Sequence, residues 1–546
     1  MGAVCVGSND AGTVRRDGVA ITVVPGDTLP ETTGLATVPA ERTGDAPGAS
    51  DDMDRIIADS GGGEPLHRQV YRRLVTAIAS GALAPGCKVP SSRELAREMN
   101  VSRNTVVLAF EQLITEGHLV AVTGSGTFVA GSVSAVGVPA GAAVDTFHAP
   151  DMSRVTAQIA RMSAENSAHV PVAAPFRPFF PALKDFPLPI WQRIGNDVYR
   201  RLLRHSDLMG ENDPAGHLPL REEIARQMIL RGVRCTAHNV IIVDGTQQGV
   251  DTACRLLLHA GDAIWCEDPG YPGVRTSADA IGARIVDVPV DSAGMMVQHG
   301  IADAPGARVA YVTPGNQLPI GAVMTTERRA ELLAWARAAD AWIIEDGYDS
   351  DLRFDGTVST TIQALDGNQR VIYLNTFTKT LFPALRLGYA IVPDALVQAF
   401  VRMRQVGSRF SPFMSQAVVA EFLRRGHFAR HLRNMRALYG HRHEVLQAQA
   451  ARHAAPWLRL RPAVSGMQAS GRLCPGLDAQ DLAALAAAHG LVVTPVTRFS
   501  GTHARDYADQ VMLGFGEFDD RTLESGMQAL GRLLSSRYSA CARASK

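Results

Sequence analysis

The sequence predicts a multidomain chain: an N-terminal winged helix-turn-helix, then an α/β domain with a mostly parallel sheet, then a smaller α+β C-terminal domain. Three observations carry that expectation. Three helical patterns and a glycine-turned hairpin fill residues 64–130, and apolar β-branched runs alternate with helical patterns from residue 173. After Val392 the sequence turns helix-rich before returning to short strands. At 546 residues the chain is also too long for one core, at ~100–200 residues per domain.

Residues 1–63 are rich in Gly, Thr, Asp and Ala without a sustained period, and four arginines against ten acids leave them at net −6. A disordered acidic leader is the expectation, and whether it belongs to the natural protein stays open. In residues 64–130, LHRQVYRRLVTAIAS sets Leu66, Val70, Leu74 and Ile78 on one helical stripe. SSRELAREM is a second helix, capped by Ser91 or Ser92 with Glu94 or Glu98 in its early turns. NVSR breaks the period, and Ser102 caps a third helix from Arg103 to Glu116 with Val106, Phe110 and Leu113 inward. HLVAVTGSGTFVA alternates about Gly124-Ser125-Gly126, as two strands of a wing do.

Residues 131–172 mix Val, Ala, Gly, Ser and Pro with a helical stretch near Met152–Met162, and read as a linker. Residues 173–392 carry the runs NVIIVDG, DAIWCEDPG, RVAYVTPG, AWIIEDG and RVIYLNT, separated by helical patterns such as TQQGVDTACRLLLHA and ERRAELLAWARAA. Residues 393–546 form the expected small domain.

An apolar fraction of 46% and a charged fraction of 20% argue against wholesale disorder and against a membrane protein. The opening MGAVCVGSND lacks the basic and apolar regions of a signal peptide, and no stretch reaches ~18 uninterrupted apolar residues. Seven scattered cysteines show no metal-ligand spacing, so no metal is expected and the thiols read as reduced and cytoplasmic. Net charge is zero, so any nucleic-acid footprint is local; residues 64–130 hold seven Lys plus Arg against five acids, net +2.

The third helix of such a unit lies in the major groove, where its first residues reach base edges and phosphates. Here these are Ser102, Arg103, Asn104 and Thr105. Arg suits a guanine edge, Asn an adenine edge, and hydroxyls a phosphate, while Arg93 is placed to meet the backbone. An interaction module with a merely solvated helix start is the alternative. The stretch PSSRELAREMNVSRNTVVLAFEQLITEGHLVAVTGSGTFVA resembles the DNA-binding domain of GntR-type regulators throughout its length. That resemblance implies double-stranded operator DNA as partner, touched by Arg93, Arg103, Asn104, Thr105 and Gly124.

A second constellation lies in the α/β region. Lys379 follows a strand in YLNTFTKTLFPALRLG, among hydroxyls and with Arg386 seven residues on. Asp346 and Tyr348 end the strand AWIIEDGYD, where loops after parallel strands gather ligands, although an Asp there also serves as a helix cap. The turn DGTQQG puts Gly245, Thr246 and Gln247 at a helix N-terminus suited to phosphate. Tyr271 in EDPGYPG can stack on a flat ring or simply pack a turn. A lysine amine, a carboxylate, a phenol and an anion cradle are what pyridoxal 5'-phosphate (PLP) requires.

Read in order, DPAGHLPLREEIA, VDGTQQGVDTACRLLLHAGDAIWCEDPGYPGVR, YVTPGNQLPIG, AWIIEDGYDSDLRFDG and NTFTKTLFPALRLGYAIVP resemble the aminotransferase-like domain of the MocR/GabR group, as does the fusion to a GntR-type head, over roughly residues 64–540. The resemblance implies a fold-type I PLP domain. Lys379 is then the Schiff-base lysine, Asp346 faces the pyridine nitrogen and Tyr348 the phenolic oxygen. Thr246, Gln247, Thr376, Thr378 and Arg386 are phosphate-side candidates, and a homodimer is implied.

The departures are informative. The group's E-D-D-Y is E-D-G-Y here, with Gly347 for the second Asp; S-H-Q-[YF]-P-T-G is G-N-Q-L-P-I-G; and G-T-F-S-K is N-T-F-T-K. In QVMLGFG, Met512 stands where a carboxylate-binding Arg is often found. Arg498, or an arginine of HFARHLRNMR, is an alternative carrier, set against the ordinary reading of these as surface or salt-bridge residues. The expected function is a PLP-dependent transcription regulator sensing a small amine, an amino acid or PLP itself. The alternative is a PLP-dependent aminotransferase carrying a DNA-binding head; the retained lysine, aspartate and tyrosine disfavour a scaffold that has lost PLP.

Overall fold

The structure, a computed structural model, describes residues 64–130, 174–202, 210–357, 360–367 and 369–538. The expected leader and linker, with the helical stretch near Met152–Met162, lie outside the described residues. The chain divides into two compact units, Met1–Ala149 and Pro150–Lys546.

In the first unit, α1 (Leu66–Ala79) buries Val70, Leu74 and Ala77 but leaves Leu66 54% exposed. Steps of four residues drift by about 40° each around a 3.6-residue helix, so the stripe's ends rotate off the core and Ala77 takes an inward place. Ser91 caps α2 (Ser92–Glu98) in a reciprocal box with Glu94, leaving Ser92 as the first helical residue and Glu98 as the last. Ser102 caps α3 (Arg103–Thr115), whose Val106, Ala109, Phe110 and Leu113 are buried. Each such Val, Leu or Phe contributes roughly 1.5–3 kcal/mol relative to exposure. β1 (Leu119–Val122) and β2 (Gly126–Val129) form the antiparallel wing, Leu119 opposite Val129. Residues 86–89 line the other edge of β2: Gly86 N–H donates to Val129 O (3.0 Å), and Val89 N–H to Thr127 O (2.9 Å).

The second unit begins with α4 (Leu188–Leu202), α5 (Leu218–Ile229), β3 (Val240–Val243), α6 (Thr246–Leu257), β4 (Ala263–Asp268), α7 (Pro272–Ile281), β5 (Arg284–Asp291) and β6 (Gly294–Met295). It continues with α8 (Val297–Asp303), β7 (Val309–Val312), α9 (Thr326–Ala338), β8 (Trp342–Asp346), α10 (Ile362–Asp366), β9 (Val371–Thr376) and β10 (Gly388–Ile391). The eight strands form one sheet in the order β3-β10-β9-β8-β7-β4-β5-β6. β5, β4, β7, β8 and β9 run parallel, while β10 is antiparallel to both its neighbours. Helices cover both faces, which is why β3, β4, β7, β9 and β10 are buried along their whole length. β5 alternates buried and half-buried residues, so it lacks the continuous apolar run that marks the others.

Three helices follow, α11 (Asp394–Ser408), α12 (Phe413–Arg424) and α13 (His427–His453), then β11 (Leu458–Leu460), β12 (Gln468–Leu473), α14 (Ala479–Ala487), β13 (Thr494–Pro495), β14 (Gln510–Gly514) and α15 (Asp520–Arg537). β11-β12-β14-β13 is a separate antiparallel sheet. Two packing features cross the expected boundaries at 392/393 and within the start of the second unit. Val397 and Phe400 of α11 pack with the large sheet's core, and α12 lies against α4 and α5. Conversely, residues 175–177 belong with the small sheet: Gly514 N–H donates to Phe176 O (2.8 Å) and Val492 N–H to Pro175 O (3.0 Å). Helices flank the large sheet from both sides of it in sequence, and the turn at residues 175–177 hydrogen-bonds to the small lobe.

Candidate functional site

A cavity of about 970 Å³ opens at the carboxyl ends of the parallel strands, the place where open α/β sheets gather ligands. Lys379, Asp346, Tyr348, Thr246, Gln247, Tyr271, Thr376, Thr378 and Arg386 all line it. Gly245 adjoins, with φ +96° at the N-cap of α6; a side chain there would come within 3.2 Å of the Arg386 guanidinium. Arg386 Nη2 donates to the Asp244 carbonyl at 3.1 Å.

Asp346 ends β8 and is 4% exposed. Its Oδ2 accepts from the Tyr311 hydroxyl at 2.7 Å, whereas Oδ1 is buried without a hydrogen-bond partner. Burial pushes this carboxyl up to about 7. The hydroxyl of Thr246 is the other buried, unpartnered polar atom lining the cavity. Leaving such atoms unmet costs about 1–3 kcal/mol each, so a polar ligand is implied. Burial lowers the Lys379 amine to about 8; Nζ donates to Phe179 O at 3.1 Å and stands 5.1 Å from that ring's centre. The Tyr348 hydroxyl lies 3.5 Å from the amides of Asn316 and Gln468, and burial raises it well above the ordinary phenol range.

The Gln247 side chain is engaged within the cavity wall. Its Nε2 donates to Gly273 O (3.0 Å) and Ser277 Oγ (3.1 Å), and its Oε1 accepts from the Tyr271 hydroxyl (2.8 Å). The side chain is spent on anchoring Tyr271, whose ring lies 6.1 Å from that of Tyr311 at 29°. Thr376 Oγ1 sits 2.9 Å from Thr378 Oγ1 and accepts the Thr378 N–H at 3.1 Å, bending the chain just before Lys379.

Met512 does not line the cavity: it is fully buried in β14, between Ser470 and Thr494. Arg498 does line it, whereas no arginine of the HFARHLRNMR stretch does. The Gly347 departure has a steric cause, since a Cβ there would fall 2.3 Å from the Tyr373 hydroxyl. Sequence reasoning missed Arg177, Phe179, Phe180 and Phe499, which come from irregular segments without a motif, and Tyr311, whose one signal was a phenol inside an apolar strand.

On the first unit, Arg93, Arg103, Asn104 and Gly124 are exposed, and Thr105 is half-buried. Ser102 Oγ accepts the Thr105 N–H at 3.1 Å and lies 2.7 Å from Thr105 Oγ1. Both hydroxyls are therefore engaged in capping, which leaves Arg103 and Asn104 as the outward-facing, exposed side chains of the helix start. Arg103 Nε points to Ser92 Oγ at 3.4 Å, tying the start of α3 to that of α2. Gly124 turns the wing with φ +83°. Lys88, overlooked in the sequence, lays its chain along Gly126 of the wing, where an added Cβ would meet Lys88 Cε at 2.7 Å. Among the described residues no helix is long and apolar enough to cross a membrane, and no His/Cys/Asp/Glu group is placed to hold a metal ion.

Residues 66–129 match the bacterial regulatory proteins of the gntR family, and residues 185–505 match aminotransferase class I and II. The chain is 36% identical over 477 residues to the probable rhizopine catabolism regulatory protein MocR of Rhizobium meliloti, covering 87% of this chain and 95% of that one. It is 31% identical over 465 residues to the pyridoxine biosynthesis transcriptional regulator PdxR of Corynebacterium glutamicum, covering 83% and 93%. It is similar in fold to the α-aminoadipate aminotransferase LysN of Thermus thermophilus, with a TM-score of 0.61 at 23% identity, over 69% of this chain and 97% of that one.

Proposed function

From the premise that this chain belongs to the MocR/GabR-type transcription regulators, a gntR-family DNA-binding head joined to an aminotransferase-like domain, we propose that it binds PLP at Lys379 and senses a small amine there. The observation that carries the proposal is the pair of unmet buried polar atoms, Asp346 Oδ1 and Thr246 Oγ1, lining one cavity with a lysine whose amine is lowered to about 8. Their chemistry fits the group: a carboxylate for a ring nitrogen, a hydroxyl at a helix N-terminus for a phosphate, and an amine for an aldehyde.

When bound, PLP supplies an electrophilic carbonyl that condenses with amines. Lys379 would hold it covalently, and an amine of pKa about 8 is partly neutral, hence nucleophilic, at physiological pH. Asp346 would accept the ring N–H through Oδ1 while Tyr311 holds its other oxygen. Tyr348 would face the phenolic oxygen, and Tyr271, fixed by Gln247, the ring. Thr246, Thr376, Thr378, Arg386 and the backbone at Gly245 and Gln247 would take the phosphate.

On the head, Arg103 and Asn104 would read base edges, and Arg93 would meet the phosphate backbone of double-stranded operator DNA, with Ser102 and Thr105 holding the helix start and Gly124 presenting the wing tip. The amine would shift DNA binding by its differential affinity for two states of a cytoplasmic homodimer. Burial of Met512 in place of a carboxylate-binding arginine favours sensing over turnover as a transaminase.

Borohydride reduction of the native protein followed by peptide mapping tests the cofactor proposal. A pyridoxyl adduct on the Lys379 peptide is expected; its absence would leave only a DNA-reading module.

A further inference from the structure

A second cavity, of about 360 Å³, adjoins the end of β8. Successive side chains of a strand point to opposite faces, so Asp346 reaches the Lys379 cavity while Glu345 turns to this one. Its volume lies at the small end of the range for ligand pockets, about 300–1,000 Å³.

Three guanidinium groups line it, and two are committed. Arg231, just beyond α5, pairs with the buried Asp351. Arg353 gives Nε (3.2 Å) and Nη2 (2.5 Å) to the two oxygens of Asp355. Arg436, on α13, donates through Nε to the Asp351 carbonyl at 2.8 Å, and its terminal nitrogens make no hydrogen bond or ion pair with any described residue.

The acids of the wall do not neutralise that third cation. Asp351 is spent on Arg231 and also accepts from Asn375 Nδ2 at 3.3 Å. Glu345 is 2% exposed and takes the N–H groups of Ile362 and Gln363, each at 2.9 Å. Burial pushes its carboxyl up to about 7, so it is partly protonated near neutral pH. Gly347 adds no charge: a side chain there would head for the Tyr373 hydroxyl on the same wall, and this chain has bare backbone where E-D-D-Y sets a carboxylate. One positive charge is left over in a recess, where water screens it less than on an open surface. The bond from Nε fixes the guanidinium plane, so its outer edge is already oriented toward a ligand. Ser350 Oγ, 3.2 Å from the Tyr373 hydroxyl, and the Gln227 amide add polar groups to the wall.

We propose that this cavity is a second ligand site, for a small molecule that is separate from the amine and carries a phosphate or carboxylate group, with Arg436 as its anion contact. The site stands independently of the PLP reading, since none of its three guanidinium groups lines the Lys379 cavity. Asp346 is the one residue that the two cavities share.

Calorimetric titration of the full chain, after incubation with PLP, with inorganic phosphate and with malonate tests this. At least one of the two is expected to bind at one site per chain, the tighter naming a phosphate ester or a dicarboxylate as the ligand class. Arg436→Gln should weaken that binding about 10- to 100-fold, the range of a charge-assisted contact, and Arg436→Lys should restore part of it. Gln227→Glu brings a carboxylate to the same wall without touching the Asp351 bond, and should weaken binding in the same direction. Arg386→Gln and Arg498→Ala, on the other cavity, should leave it unchanged. Binding of neither anion, undiminished affinity in Arg436→Gln (or in Gln227→Glu, where the first variant does not fold), or an equal loss in Arg386→Gln or Arg498→Ala overturns the proposal.

Discussion

In the head, Arg93, Arg103 and Asn104 stand exposed at the starts of two adjacent helices, each placed by a cap a residue or two away. In the larger unit, the cavity draws on segments from Arg177 to Phe499, and its decisive atoms are buried. A surface that must meet a large, charged partner can be written locally, because solvent satisfies its groups until the partner arrives. A cavity for a small molecule must desolvate its groups beforehand, and many distant segments are needed to do so. Burial then alters the chemistry itself: Lys379 is lowered to about 8 and Asp346 raised to about 7.

If the head works through exposed side chains on locally capped helices, Arg103→Ala should weaken operator binding about 10- to 100-fold, the worth of a bidentate base contact, without changing cofactor content or melting temperature. Unchanged affinity in a mobility-shift titration would remove the recognition-helix assignment.

In the cavity, packing should dominate. Gly347→Ala forces a Cβ onto the Tyr373 hydroxyl and is expected to destabilise the larger unit by roughly 1–3 kcal/mol, with Tyr373→Phe recovering part; denaturant titration measures both.

Buried carboxyls also give the cavity a pH signature that the head lacks. With Asp346 at about 7, the native state holds a proton between about pH 4 and 7 that the unfolded chain has lost. Stability therefore falls as pH rises through that window, and Glu267, Glu345 and Asp349, each raised by burial to about 7, act in the same direction. A ring N–H on Asp346 Oδ1 offsets part of the loss. Melting curves from pH 5.5 to 7.5 should fall more steeply for cofactor-stripped than for loaded protein; parallel slopes would argue against that contact.

The smallest effect belongs to the head's caps. Ser102→Ala should cost about 1 kcal/mol, read as a lower denaturation midpoint of the head.

The same contrast explains what the sequence disclosed. Caps at Ser91 and Ser102, the glycine wing and the strand-end positions of Asp346, Tyr348 and Lys379 follow from local pattern or motif, and all could be written down beforehand. The place of Gln247 at a helix start was visible, but the bonds of its side chain to Gly273 and Ser277 were not, because those partners come from α7. For Arg498 the sequence left a carboxylate carrier and a surface arginine both open; only the folding of its turn, anchored through Asp268, puts it on the cavity wall. The packing of α11, which lies beyond residue 393 yet sets Val397 and Phe400 into the core of the large sheet, is a long-range feature that local pattern does not carry.

On the proposed function, chemistry at Lys379 governs DNA binding by the head. Affinity for the DNA upstream of its own coding region, measured with and without PLP in wild type and in Lys379→Ala, tests it most directly. Wild-type affinity should change about 5- to 150-fold on loading, the usual range of coupling between sites, and the variant should not respond. Identical affinities in all four states would contradict it.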